Sequence, residues 1–334
     1  MGAFRLLLAV LVAVSHMGKT FSGLNPGVVA VISFLIISGF VMTSLIERNY
    51  KTTASVGRFY LDRALRLYPQ FLLYFLASCA VIDWLLPGTP QAAELTIENI
   101  LTSLTMLPLG FYMFGVGSSW ILPAAWSLGL ELCFYLVFPF LLIFKLRGVA
   151  FVLSVGVFLV ACFGYINTDV YGYRLLPGVL FIFLCGSYLY RPQARGLLVA
   201  GLTTVAASVL FVAIMTGVIT RHPFNAEVTL GIALGIPAVL VLTRFKYHRV
   251  DELLGNISYG VFLNHFVVMY LLRGFWPVAY DAQMVTVVLV LAFGLSGVSY
   301  YFVEKPILAL RHKLRAGLKT TAAPSKGSGA IEST

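Results

Sequence analysis

The sequence predicts an all-α integral membrane protein: a bundle of about ten transmembrane helices with both termini cytoplasmic. Three observations carry that reading. Hydrophobic types make up 60% of the 334 residues and charged types 11%, whereas a soluble domain is roughly half apolar and about a quarter charged. Mean hydropathy is +0.93. The apolar residues also fall in long runs, and about 20 of them in a row suffice for one spanning helix. Ordinary cytosolic enzymes, disordered chains and secreted disulfide scaffolds are thereby excluded.

Taken in order, the runs predict helices near 3–18, 27–46, 68–86, 121–144, 148–166, 173–190, 197–219, 226–243, 253–274 and 282–303. The first has no A-x-A site after it and is expected to be retained, not cleaved as a signal peptide. The stretch 98–116 is apolar too. Pro108 and several glycines make it a re-entrant or interfacial segment instead of a further span. Residues 316–334 are small and polar and read as a disordered cytoplasmic tail. Residues 1–315 then form a single transmembrane domain.

Charge sets the expected orientation. With an inside N-terminus and ten spans, nineteen of the 23 Lys and Arg fall on the cytoplasmic side. Only Lys19, Arg174, Arg221 and Arg273 fall outside. Lys and Arg collect on the cytoplasmic side of membrane proteins, so this split supports the odd–even assignment. The net charge of +10 therefore speaks of topology, and no nucleic-acid partner is expected. A multi-pass membrane protein follows, with the lipid bilayer as partner. Its oligomeric state stays open.

Cys79, Cys133, Cys162 and Cys185 lie inside apolar runs with no CxxC spacing and read as small core residues. No HExxH or H-x₃-H occurs, so no metal is expected. No G-x-S-x-G is present, so there is no nucleophile elbow.

Ionisable groups inside apolar spans are costly and mark function. Arg5 and His16 share the first span. Eleven residues at 1.5 Å per residue separate them by about 16 Å on nearly one helix face. A snorkelling Arg with an interfacial His is the plain reading, and an imidazole poised to take a proton is the sharper one. Arg63 and Arg66 are three apart and lie on one face. They satisfy the positive-inside rule, and they also suit a phosphate-bearing ligand. Ser127, Glu131 and Tyr135 recur every four residues, making one face of that span polar. Glu131 there is either a structural ion pair or a participant in chemistry. Ser258 and His265 lie two turns apart on one face, where interhelical hydrogen bonding is the plain alternative. The ISGF patch at 37–40 lets another helix approach closely.

The order of these pieces is informative. Arg5-x10-His16, SFLIISGFVMTSLI at 33–46, RFYLDRALRLYP at 58–69, AWSLGLELCFYLVFP at 125–139, GNISYGVFLNHF at 255–266 and YFVEKPI at 301–307 follow one another. Together they resemble the bacterial membrane acyltransferase-3 family over roughly residues 5–310. The resemblance implies an O-acyltransferase, in the first instance an O-acetyltransferase. It would move an acyl group from cytoplasmic acyl-CoA, acetyl-CoA by default, to a hydroxyl of a surface carbohydrate or glycolipid. It implies catalytic roles for His16, Glu131 and His265 and acyl-CoA contacts for Arg5, Arg63 and Arg66. His16 would act as general base or as a transient acyl carrier, and Glu131 would orient its imidazole if the two meet. Asn264, where the family usually carries an aromatic or aliphatic residue, is expected to bear on acceptor preference. The competing class is a transporter or flippase of a lipid-linked or sugar substrate, since intramembrane His and Glu also serve proton relays. That class would more often carry paired Gly/Pro-broken helices, and none is evident.

Overall fold

Long apolar runs leave the backbone little choice but helix, because a spanning segment must satisfy its own N–H and C=O groups. The computed structural model describes residues 1–118, 120–245, 248–276, 279–311 and 313. Among them the regular elements are twelve α-helices and a few short 3₁₀ and π turns. In chain order they are α1 Gly2–His16, α2 Pro26–Asn49, α3 Val56–Leu85, α4 Pro90–Ala93, α5 Ile97–Leu104 and α6 Trp126–Ile143. There follow α7 Arg147–Cys162, α8 Leu176–Leu189, α9 Ala194–Met215, α10 Asn225–Leu242, α11 Arg249–Phe275 and α12 Ala282–Ser299. The expected tail, 316–334, lies outside the described residues.

Among the described residues eight helical stretches are long and apolar enough to cross a membrane: α2, α3, α6, α9 to α12, and α8 taken together with the π turn before it, Val170–Leu189. The other two expected spans, α1 and α7, are apolar but have only 15 and 16 residues. At 1.5 Å per residue α1 rises about 22 Å, short of a hydrocarbon core of about 30 Å. The outward surface suits lipid. Along α9, Leu198, Leu202, Val205, Val209 and Val212 are all exposed.

One expectation changes. The arginine-bearing segment before residue 68 is part of α3, which runs through Pro69 from Val56. The proline costs one backbone hydrogen bond. The buried side chains Phe59, Leu67, Phe71 and Phe75 hold both halves in one line against the core. The stretch 98–116 forms α5 and a 3₁₀ run Leu107–Phe114, and no span. Met106, just before that run, has φ +62°, which together with Pro108 turns the chain there.

α1 packs along α11 and α2, and α2 also contacts α8 and α10. The ISGF patch acts as expected. A Cβ on Gly39 would overlap the Phe183 carbonyl, and one on Gly186 would overlap the Ile36 carbonyl, so α2 and α8 touch backbone to backbone. α1 and α11 run in the same direction. Asp251 of α11 accepts from the backbone N–H of Gly2 and Ala3, each at 2.9 Å, and so caps α1. At the other end of α1, His16 meets His265. The register of this one pair of helices decides the candidate site.

Candidate active site

Two clefts line α1. The first is near the capped end of the helix and encloses about 900 Å³, its open mouth included. It is lined by Arg5, Arg63 and Arg66 and, further in, by Ser127, Glu131 and Tyr135. The second, of about 590 Å³, holds His16, Asn25, Trp126, Tyr173 and Arg174. Val31, Ser127 and Phe262 line both. These three residues are therefore a common wall between an arginine-rich end and a histidine.

The three arginines differ. Arg63 donates from Nε to Asp62 Oδ2 at 3.0 Å and pairs with it through Nη2 as well. Asp62 also accepts from Arg311 Nε at 3.3 Å. Arg66 is paired with Glu304, which is buried, and lies over the Tyr259 ring at 5.3 Å. Arg5 has no carboxylate within ion-pair distance among the described residues. It is the cation of this cleft left for a ligand. Gly255 lets the start of α1 lie against α11, since a Cβ there would stand 3.0 Å from Gly2 Cα.

Glu131 does not meet His16. Its Oε1 accepts from Ser38 Oγ at 2.7 Å and from Tyr135 OH at 2.5 Å. Of the residues at four-residue spacing, Glu131 and Tyr135 are thus hydrogen-bonded to each other within the arginine cleft, whereas Ser127 bonds to its own helix at Ala124 O. The expected orienting contact is made by another residue. His16 Nδ1 lies 3.0 Å from His265 Nε2, and His265 Nδ1 lies 3.1 Å from the Val261 carbonyl oxygen. A carbonyl can only accept, so His265 carries its proton on Nδ1. In the neutral pair His265 Nε2 is then an acceptor, and His16 Nδ1–H must donate to it. The basic lone pair of His16 is left on Nε2, the ring nitrogen away from His265. His265 is fully buried, whereas His16 is exposed at its cleft. Phe266 braces both rings, 4.7 Å from each centroid.

Of the late motif, Ser258 lines the first cleft and donates to Gly255 O at 2.7 Å. Asn264 lies away from both clefts. Its Nδ2 donates to Ala292 O at 2.9 Å, tying α11 to α12. It is a packing device, and the expected bearing on acceptor preference has no geometric support. Arg174 and Asn25 had no place among the expected site residues. The one signal for Arg174 was its position among the few arginines on the minor side of the charge split.

A family model described as an acyltransferase domain matches residues 2–303. The chain belongs to the acyltransferase-3 family. It is 32% identical over 204 residues to a protein of Aquifex aeolicus, covering 58% of this chain and 91% of that one. It is 33% identical over 121 residues to the exopolysaccharide production protein ExoZ of Rhizobium meliloti, 36% of each chain. It is 22% identical over 323 residues to the O-acetyltransferase OatA of Staphylococcus aureus, 85% of this chain and 53% of that one. The chain thus spans about half the length of OatA and about a third of ExoZ is matched. No solved structure matches it. With the family and the helices together, this is an acyltransferase of the multi-pass membrane kind.

Proposed function

We propose that the protein transfers an acyl group, acetyl in the first instance, from cytoplasmic acyl-CoA to a hydroxyl of a surface carbohydrate or glycolipid. One observation carries the reading: the arginine cleft and the His16 cleft share Val31, Ser127 and Phe262. In this reading the bundle has ten spans, α1 and α7 being its short ones, and both termini face the cytoplasm. The capped end of α1 is then the cytoplasmic end, and His16 lies about 21 Å inward from Gly2.

Acyl-CoA carries several phosphate charges at one end of a thin arm and a thioester at the other. Arg5 is free to meet the phosphates. Arg63 and Arg66 add field, and phosphate would compete with Asp62 and Glu304 for their donors. The arm follows the shared wall past Ser127, so the thioester reaches His16. His16 Nε2 takes the proton of the acceptor hydroxyl, whose oxygen bonds to the thioester carbon. The C–S bond then breaks and the proton passes to the departing thiolate. His265 holds the imidazole in the tautomer that this step needs. The same lone pair would serve an acyl-imidazole route.

The deciding experiment is His16→Gln. Gln hydrogen-bonds but takes no proton near pH 7. Loss of a positioned base costs roughly 10²–10⁴-fold. Ester formation on surface glycans, followed by mass spectrometry, is expected to vanish while purified protein still binds CoA. Near-normal esterification by this variant would make the imidazole structural. The similarity to ExoZ, an exopolysaccharide production protein, favours a carbohydrate acceptor, and that to OatA, an O-acetyltransferase, favours acetyl as the group transferred.

A further inference from the structure

The His16 cleft has an asymmetric set of hydrogen-bonding groups. Ser15 Oγ is committed to Val12 O at 2.8 Å and Ser127 Oγ to Ala124 O at 3.1 Å. Asn25 Oδ1 accepts from the N–H groups of Gly27 and Val28 as the cap of α2. Among the described residues that leaves donors without protein acceptors at Asn25 Nδ2, Tyr173 OH and the two terminal nitrogens of Arg174. The basic acceptor among the lining side chains is His16 Nε2; the hydroxyl oxygens of Ser15 and Ser127 can accept but take no proton near neutral pH. No carboxylate lines the cleft. Such a site is built for one proton to be taken and for negative charge to appear.

Arg174 ends a π turn, Val170–Arg174, immediately before α8. Its Nε donates to Asp169 Oδ1 at 2.6 Å. Four rings surround its guanidinium: Trp126 at 4.7 Å, Tyr173 at 5.1 Å, Tyr112 at 5.5 Å and Phe224 at 5.9 Å. The side chain is only 14% exposed. Ring faces hold a planar cation by electrostatic attraction and fix its plane. An arginine used only to pin a loop would spend its terminal nitrogens on protein oxygens. This one spends Nε alone, and it lines the histidine's cleft.

We propose that Arg174 receives the negative charge on the carbonyl oxygen during acyl transfer. The inference rests on the acyl-transfer reading above. As the acceptor oxygen bonds to the thioester carbon, the carbonyl π electrons move onto oxygen. They return when the C–S bond breaks, so no further reactant is needed. A donor already fixed in place stabilises that oxyanion without reorganising at the moment of reaction. Asn25 Nδ2 and Tyr173 OH are the neutral donors beside it. The caged, mostly buried fork suits one or two oxygens better than a bulky anionic sugar.

The test uses membrane vesicles from source cells, which supply the endogenous acceptor, fed labelled acetyl-CoA or fluoroacetyl-CoA. Fluorine stabilises the same oxyanion through its own bond, so a role at that oxygen makes the two donors respond differently. Arg174→Gln is expected to lower the rate at saturating acetyl-CoA by roughly 10²–10³-fold. CoA affinity stays unchanged, and the deficit with fluoroacetyl-CoA is at least several-fold smaller. Arg174→Lys, keeping the charge without the fork, falls between, and carries the same two-donor comparison should the Gln variant fail to accumulate. An equal deficit with both donors overturns the proposal in favour of a structural role or recognition of an anionic acceptor. A rate within about threefold of wild type overturns it outright. An active wild type with either of those results removes only the role of Arg174. A wild type inactive with both donors removes the acyl-transfer reading, and this inference with it.

Discussion

His265 separates chemistry from packing at the single-residue level. It touches no open cleft, and its whole polar surface is divided between Val261 O and His16 Nδ1. Substituting it leaves His16 in place but removes the acceptor that fixes its tautomer. His265→Ala is therefore expected to reduce acyl transfer by about 10-fold or more with unchanged CoA binding. That is a smaller loss than for His16→Gln, where the proton acceptor itself is gone. Equal loss in the two variants would mean that both rings take part in the proton's path. The arginines need a different control. Arg66→Ala strands the buried Glu304 carboxylate, and removing one partner of a buried ion pair costs about 3–5 kcal/mol. Its other oxygen, Oε2, already lacks a protein partner among the described residues. Thermal unfolding in detergent is expected to show a large drop for Arg66→Ala. Adding Glu304→Gln should recover most of it. Arg63→Ala should be milder, because Arg311 remains on Asp62. CoA affinity measured in the Arg66→Ala/Glu304→Gln pair then reports on phosphate binding and not on folding.

Among the elements, α2 and α8 touch backbone to backbone from both sides. Their contact through Gly39 and Gly186 leaves no room for a side chain. α2 also carries Ser38, which hydrogen-bonds Glu131 across to α6. Gly39→Val is expected to push the helices apart and cost about 1–3 kcal/mol, in the manner of other overpacked cores. The same shift should loosen the Ser38–Glu131 bond and lower CoA affinity. Unchanged melting with unchanged affinity would mean that the pair has slack. The pattern of small residues made this approach legible in the sequence. The continuity of α3 through Pro69 was not. A proline after a basic segment reads as a helix start, and only the aromatic packing on both sides of it joins the halves.

For the molecule as a whole, the charge split gives the sharpest forecast. Reporters fused after Thr334 or inserted within 47–67 are expected to read cytoplasmic, and one near Ala92 external. A cytoplasmic signal near Ala92 would reverse α3 and undo the proposed route from arginines to His16. The forecast gains from the parallel run of α1 and α11, which puts Arg5 near one end of the pair and His16 with His265 further along it.

Composition, run length and Lys/Arg placement are one-dimensional quantities, because a bilayer acts on each segment separately. The sequence by itself therefore determined the helical membrane class, the positions of the apolar helices and the presence of rare ionisable groups within them. It also ordered the motifs that the family shares. Which of those groups meet is a property of helix register and contact, and only the tertiary structure decided it. Spacing put Arg5 and His16 on one face but could not say that the histidine's partner is His265, 249 residues away, and not Glu131. It marked Arg63 and Arg66 as a pair but not that Asp62 and Glu304 already hold them. Arg174 counted only as an exception to the charge rule until the π turn before α8 carried it into an aromatic cage beside His16. Hydrogen bonds and ion pairs reach only about 3–4 Å, so they are settled by how the helices pack and not by which residues lie along them.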